Sequence, residues 1–198
     1  LLYYYLVQYR GWKGPCVRNN STTHLLDRVA EAVGEKCYEV PVGFKYVSGK
    51  MAETDAIIGG ESSGGMAVRG HIAGKDGIYA AALLVEMVAA TGKTISALYQ
   101  EVLDRYGALA YVEEDFTMTP ARKKELQEAI FVHNRFPNFT GGIERIDRSD
   151  GCKIWFADGS WVICRFSGTE PLLRMAAEGQ TEAQAKRHIH YWKEFLEL

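Results

Sequence analysis

Between residues 16 and 58 the apolar pattern of this chain switches repeatedly between extended and helical spacing, and that alternation restricts the fold more than any other feature. Cys16-Val17-Arg18 is a short extended piece. Ser21-Thr22-Thr23 then supplies cap-type residues ahead of Leu25, Leu26, Val29, Ala30 and Val33, which recur at helical spacing until Gly34. Cys37-Tyr38-Glu39-Val40-Pro41-Val42 reads as a strand ending in Gly43-Phe44-Lys45. Residues 51–55 predict a further helical turn, and Ala56-Ile57-Ile58 a short apolar strand. Strand, helix, strand, helix, strand predicts a mostly parallel, three-layer α/β domain. The opening run Leu1-Leu2-Tyr3-Tyr4-Tyr5-Leu6-Val7-Gln8-Tyr9 fits a buried strand or a helix, because so short a run has no decisive period.

The third strand runs into Gly59-Gly60-Glu61-Ser62-Ser63-Gly64-Gly65, with Lys75-Asp76-Gly77 close behind. Ligands of open parallel sheets gather at the loops leaving the carboxyl ends of strands. Four glycines let a backbone come close to a partner, and Glu61 and Ser63 are spaced to face the same side of an extended loop. A carboxylate beside a hydroxyl suits the vicinal hydroxyls of a sugar, and Lys75 adds a positive charge. A flexible surface loop is the plain alternative. Neither the phosphate-loop pattern nor the dinucleotide-binding pattern of glycines is present in its proper context.

Residues 76–90 predict an apolar helix packed on the sheet, stopped at Gly92, and residues 95–106 a helix with Ile95, Leu98, Val102 and Leu103 inward. A strand at 108–112 and the acidic Glu113-Glu114-Asp115 lead to a second domain, placing the division as 1–112 and 113–198. In the second part Thr119-Pro120 starts a helix that buries Leu126, Ile130 and Phe131. Four strands follow, at 143–146, 152–156, 161–164 and 172–177, with Asp150-Gly151 and Asp158-Gly159 at the turns. Thr181 and Gln184 open a final helix. The expected layout is a small α+β domain, a four-stranded antiparallel sheet with two helices.

Arg165-Phe166-Ser167-Gly168-Thr169-Glu170-Pro171 joins two of those strands and has the composition of an anion clamp. An arginine fork grips two phosphate oxygens, Ser167 and Thr169 offer hydroxyls, and Gly168 lets backbone N–H groups turn inward. An ordinary connecting loop is the competing reading. Arg174 either helps neutralise that site or pairs with an acidic neighbour. His71 beside the glycine-rich loop is more often structural than catalytic, and His188 and His190 show no metal constellation.

Charge and composition narrow the partners. Lys plus Arg number 23 against 25 Asp plus Glu, so no global field draws the chain to nucleic acid or a membrane surface. Cys16, Cys37, Cys152 and Cys164 show neither Cys-x-x-Cys spacing nor the density of a disulfide scaffold, which points to reduced thiols and a cytoplasmic setting. The longest apolar stretch, 78–85, is too short to span a bilayer. With no initiating methionine and an apolar opening, the chain is expected to be a piece of a longer protein.

Taken together, Gly60-Glu61-Ser62-Ser63-Gly64-Gly65, Lys75-Asp76-Gly77-Ile78 and Arg165-Phe166-Ser167-Gly168-Thr169-Glu170-Pro171 resemble the sugar-binding and phosphate-binding loops of the α-D-phosphohexomutases, the phosphoglucomutases and phosphomannomutases. Pro41-Val42-Gly43-Phe44-Lys45-Tyr46 resembles the segment ahead of the sugar loop. The resemblance implies third and fourth domains only, with loops at 59–65 and 165–171. No segment resembles the family's phosphoserine loop or its aspartate-rich Mg2+ loop, so the catalytic nucleophile and the metal ligands are expected in missing N-terminal domains of the same polypeptide. It further implies a hexose phosphate and a hexose bisphosphate as ligands, with Glu61, Ser63 and Lys75 on the sugar and Arg165, Ser167, Gly168 and Thr169 on the phosphate. The reaction so implied moves a phosphoryl group between the 1- and 6-positions of a hexose through a bisphosphate, and this fragment alone is expected to be inactive. Some members carry a histidine where Phe44 stands, so no acid or base role transfers there. Amino-sugar mutases often read Gly-Glu-Gln-Ser-Gly-His, from which Ser62 and Gly65 depart, ranking that substrate lower. A stand-alone sugar-phosphate or anion-binding module without catalysis is the alternative.

Overall fold

The computed structural model describes every residue except Thr169, and the chain divides into two units, Leu1–Ala108 and Leu109–Leu198. In the first unit β1 (Cys16–Asn19) is central and pairs in parallel with β2 (Cys37–Val40) and β3 (Ile58–Gly60). A fourth strand, β4 (Met66–Val68), adds antiparallel to β3, giving the order β2-β1-β3-β4. The glycine-rich segment is thus the tip of a β3–β4 hairpin at one edge of the sheet, where the sequence predicts a free loop after a parallel strand. Three-residue strands carry too little alternation to be read from sequence.

The ambiguous opening is a helix, α1 (Leu2–Gln8), with Leu2 to Leu6 all buried. Burial on every side removes the amphipathic signal. The hydroxyls of Tyr4 and Tyr5 escape the apolar interior by donating to Glu101 (2.6 Å) and Glu86 (2.7 Å), on α5 (Ile95–Tyr106) and α4 (Gly77–Thr91) respectively. Apart from Glu86 α4 is largely apolar, but only Leu83 and Met87 are buried, while Ile78 and Val85 are 86% and 70% exposed.

Between them lie α2 (Leu25–Ala32) and α3 (Phe44–Thr54). The latter starts at Phe44, so Gly43-Phe44-Lys45 is a helix entry and not a strand end. Gly43, at φ 131°, makes the turn that a side chain would resist. Val47 and Met51 of α3 pack on Val17, Val40 and Ala67. A Cβ at Gly59 would lie 2.6 Å from both Met51 Sδ and Val47 Cγ1. Met51 can swing aside but the β-branched Val47 cannot, so Gly59→Ala is expected to cost ~2 kcal/mol in denaturant unfolding.

Beneath the hairpin, in register with Gly60, β1 buries Arg18 at 3% exposure. Asp27 takes it with two carboxylate oxygens (2.6 and 3.0 Å) and Glu39 with a third (2.6 Å). Desolvation disfavours the buried charge, but those partners, Asp27 foremost, outweigh it and hold the guanidinium protonated.

The second unit is a five-stranded antiparallel sheet in the order β5-β9-β8-β7-β6, where four strands are expected from sequence. The added strand is β5 (Ala110–Thr117), paired along its whole length with β9 (Leu172–Gly179). It takes in both the 108–112 strand signal and the acidic stretch after it, because Glu113 and Asp115 point to the exposed face while Glu114, on the opposite face, is paired with Lys193 at 2.9 Å. The division between units therefore falls ahead of this strand, and the 112/113 boundary expected from sequence lies inside it. The others are β6 (Ile143–Asp147), β7 (Cys152–Phe156) and β8 (Trp161–Phe166). α6 (Pro120–Gln127), continued as a π-helical turn (Glu128–Val132), and α7 (Glu182–Leu196) share a core with the sheet, built on Leu126, Ile130, Phe156, Ile189 and Trp192.

His188 of α7 is buried in that core, its ring stacked 4.2 Å from Phe156 and its Nε2 2.9 Å from Ser160 Oγ. Burial pushes its pKa below the ordinary histidine value. The unfolded chain then binds the proton more tightly, so this contribution is complete above about pH 6.5 and is lost as pH falls through the folded value. Unfolding followed by the fluorescence of Trp155, Trp161 and Trp192 is expected to show lower stability at pH 5.5 than at 7.5, a difference reduced in His188→Gln.

All four cysteines are free thiols, and each faces another across a pair of strands: Cys16 opposite Cys37 on β1 and β2, Cys152 opposite Cys164 on β7 and β8. Among the described residues no single helix is long and apolar enough to cross a membrane.

Candidate functional site

Each unit carries one of the two loops singled out by the sequence. In the first, the Glu61 N–H donates to Gly65 O (2.9 Å) and the Gly64 N–H to Glu61 O (2.9 Å), with Gly64 at φ 86°. These bonds close a tight turn, so the extended loop that would place Glu61 and Ser63 side by side is not formed. Ser63 is exposed at the tip, whereas the Glu61 side chain is 6% exposed. The Gly43 N–H donates to Glu61 Oε1 (3.2 Å), and Lys75 Nζ lies 2.6 Å from Oε2. A buried carboxylate is tolerated because one oxygen accepts a backbone N–H and the other is ion-paired with an ammonium.

Lys75 stands next to a firm anchor. Asp76 Oδ1 accepts from the N–H groups of Ile78 and Tyr79 (3.0 Å each), capping α4, and Oδ2 meets His71 Nε2 at 2.8 Å. The His71 bond first, then the backbone donors, hold the Asp76 carboxyl below its ordinary range. His71 is itself stacked on Tyr79 at 4.0 Å. It thus has a structural partner set and supports the helix start from which Lys75 projects.

In the second unit Arg165 is the penultimate residue of β8, and its Nε donates to Asp150 Oδ1 (3.0 Å). Directly opposite on β9 stands Arg174, paired with Glu170 (3.4 Å) and Asp115 (3.8 Å). Like charges facing each other across strands are unfavourable, and here acidic neighbours offset them. An incoming phosphate would do so more strongly. Ser167 is buried; its Oγ accepts from the Glu170 N–H (3.2 Å), which leaves the hydroxyl proton to donate. Gly168 is exposed and a Cβ there would meet nothing within 4 Å, so packing does not require the glycine. Thr169 lies outside the described residues.

Three supporting residues are not legible as such in the sequence. Gly43 reaches Glu61 from the start of α3, and Asp150 reaches Arg165 from the β6–β7 turn. Lys123 of α6 donates to the carbonyls of Ser167 (2.6 Å) and Glu170 (3.1 Å), tying together the two ends of the loop. Lys123→Met is expected to weaken inorganic-phosphate binding to the chain by roughly fivefold in calorimetric titration, with Lys123→Arg losing less. Among the described residues no group of three or more His, Cys, Asp or Glu side chains is placed to hold a metal ion.

A mostly parallel α/β unit with a Gly-Glu-Ser hairpin, followed by an antiparallel α+β unit with an Arg-Phe-Ser-Gly loop, is the arrangement of an α-D-phosphohexomutase. The chain belongs to the phosphoglucomutase/phosphomannomutase family: residues 1–106 match its alpha/beta/alpha domain III and residues 108–191 its C-terminal domain. It is 33% identical over 186 residues to the phosphoglucomutase/phosphomannomutase of Thermococcus kodakarensis, a match covering 93% of this chain and 38% of the relative. A probable phosphoglucosamine mutase of Methanothermobacter thermautotrophicus is 35% identical over 167 residues, covering 82% of this chain and 35% of that protein. The crystal structure of a putative phosphomannomutase from Thermus thermophilus superposes with a TM-score of 0.76 at 28% identity, over 100% of this chain and 40% of that one. The chain therefore spans about two fifths of the length of such relatives.

Proposed function

We propose that this chain is the substrate-binding half of a phosphoglucomutase/phosphomannomutase, with the 59–65 loop reading sugar hydroxyls and the 165–171 loop holding the phosphate of a hexose phosphate. The observation that carries the reading is the pair of arginines, Arg165 and Arg174, in register on adjacent strands at the base of a loop whose ends are tied by Lys123. Such an arrangement positions an anion and stabilises its charge without supplying a nucleophile, which is the division of labour expected of non-reacting residues in phosphoryl transfer. In this reading the whole protein interconverts hexose 1-phosphate and hexose 6-phosphate through a bisphosphate. The phosphoserine and the Mg2+ ligands are assigned to segments outside these 198 residues, and the chain alone is inactive. The cysteine usage supports a cytoplasmic setting for the whole protein.

Glucose and mannose phosphates are proposed ahead of amino-sugar phosphates, on the grounds that Ser62 and Gly65 depart from the amino-sugar loop. Calorimetric titration of the chain with glucose 6-phosphate, glucose 1,6-bisphosphate, mannose 6-phosphate and glucosamine 6-phosphate at low salt tests both points. Glu61→Ala is expected to weaken glucose 6-phosphate about tenfold and leave inorganic phosphate unchanged. Equal affinity for phosphate and all sugar phosphates would reduce the chain to an anion-binding module.

A further inference from the structure

We propose that Gly65 and Phe44 are positioning residues that seat Lys75 against Glu61, so that the sugar-reading group of this hairpin is a carboxylate–ammonium pair; the proposal rests on the reading of the 59–65 loop given above.

Gly65 is not a glycine for the sake of its backbone. It is absent from the positive-φ residues, whereas Gly64 beside it sits at φ 86°. What a side chain at 65 would displace is Lys75: an added Cβ would lie 2.7 Å from both Lys75 Cδ and Cε and 3.1 Å from Nζ. The lysine stem runs through the space a side chain would occupy. At its far end the ammonium lies 5.3 Å from the centre of the Phe44 ring, within the range of a cation–π contact, and 2.6 Å from Glu61 Oε2. Three features thus hold a side chain that remains 49% exposed: space at Gly65, an aromatic face at Phe44 and a carboxylate at Glu61.

The seat changes what the site offers a ligand. Alone, Glu61 presents only acceptors. With Lys75 in place, Oε1 accepts from the Gly43 N–H, Oε2 is ion-paired, and the ammonium brings N–H donors up beside the carboxylate. An acceptor and a donor side by side match two adjacent sugar hydroxyls, one donating and one accepting. Lys75 projects from the residue before the Asp76 cap of α4, so its backbone is already fixed and only the side-chain torsions need the seat.

The test combines side-chain ammonium NMR with calorimetry on the 198-residue chain and its Gly65→Ala, Phe44→Leu, Lys75→Met and Gly65→Ala/Lys75→Met variants. A Lys75 ammonium resonance, identified by its loss in Lys75→Met, is expected in the parent chain, moved in Phe44→Leu and absent or at a free-lysine position in Gly65→Ala. Glucose 6-phosphate affinity is expected to fall about fivefold in Gly65→Ala and Lys75→Met alike, with no further loss in the double variant, while inorganic phosphate binds all of them equally. A Lys75 resonance unmoved by Gly65→Ala overturns the seat, as does full additivity of the two substitutions. A parent chain that binds glucose 6-phosphate no better than inorganic phosphate overturns the sugar reading instead, and the resonance still decides whether Gly65 seats Lys75.

Discussion

Arg165→Ala is expected to weaken glucose 6-phosphate and inorganic phosphate by about 100-fold each, the largest effect on binding of any single substitution in the chain. An arginine fork donating to two phosphate oxygens makes charge-assisted bonds worth roughly 1.5–3 kcal/mol each, and about 2.7 kcal/mol is 100-fold in affinity. Arg165 is also anchored through Nε to Asp150, each side chain 19% exposed, so its removal takes a partner from a largely buried carboxylate and is expected to cost about 1–3 kcal/mol of stability besides the loss of binding. Arg165→Lys keeps the charge and loses the fork, and an intermediate affinity is expected. Calorimetry together with a thermal unfolding curve reads both quantities. Affinity within twofold of the parent would remove Arg165 from the phosphate site.

Asp27→Ala is expected to produce the largest loss of stability, ~3 kcal/mol, confined to the first unit. Arg18 is buried in β1, and Asp27 supplies two of its three carboxylate bonds. Removing it leaves a buried guanidinium with Glu39 and a single backbone carbonyl, that of Asn19, in place of a bidentate partner. Taking one partner from a buried ion pair typically costs 3–5 kcal/mol, and the lower figure applies because Asp27 and Glu39 are themselves part-exposed. Arg18 stands in register with Gly60, one residue before Glu61, so binding of glucose 6-phosphate is expected to weaken with the fold while inorganic phosphate is unaffected. Urea unfolding of Asp27→Ala and of Arg18→Met/Asp27→Ala decides the mechanism: the double variant regains part of the loss if the buried charge is what costs.

Where chemistry is written into adjacent residues, the sequence is a sufficient guide. Thr119-Pro120 caps and opens α6, and Thr181 accepts from the Gln184 N–H while the Gln184 side chain reaches back to Gln180. The alternation from Cys16 to Gly60 folds as the parallel sheet it predicts. Legibility fails where the signal has no period. α1 is buried on all sides, β4 has three residues, and β5 joins an apolar half to an acidic one. The candidate site shows the same limit. Glu61, Lys75 and Arg165 can be named from local motifs, but the groups that hold them are distant in sequence: Gly43 is 18 residues from Glu61, Asp150 is 15 from Arg165, and Lys123 is 44 from Ser167. Only folding makes them neighbours. Arg18, read as part of a plain extended piece, has no local motif at all.

The placement of the cysteines gives each unit its own clock. Cys16 and Cys37 belong to the first sheet and Cys152 and Cys164 to the second, and three of the four are buried. Burial holds the Cys164 thiol well above its ordinary pKa and pushes Cys152 up to about 11, so neither is a ready nucleophile while its sheet is closed. Alkylation at these positions then proceeds only through transient opening of the strands that carry them. Peptide-resolved labelling rates would therefore time the breathing of the two units separately, in one sample and without any engineered probe, and would show whether a sugar phosphate slows one unit, the other, or both.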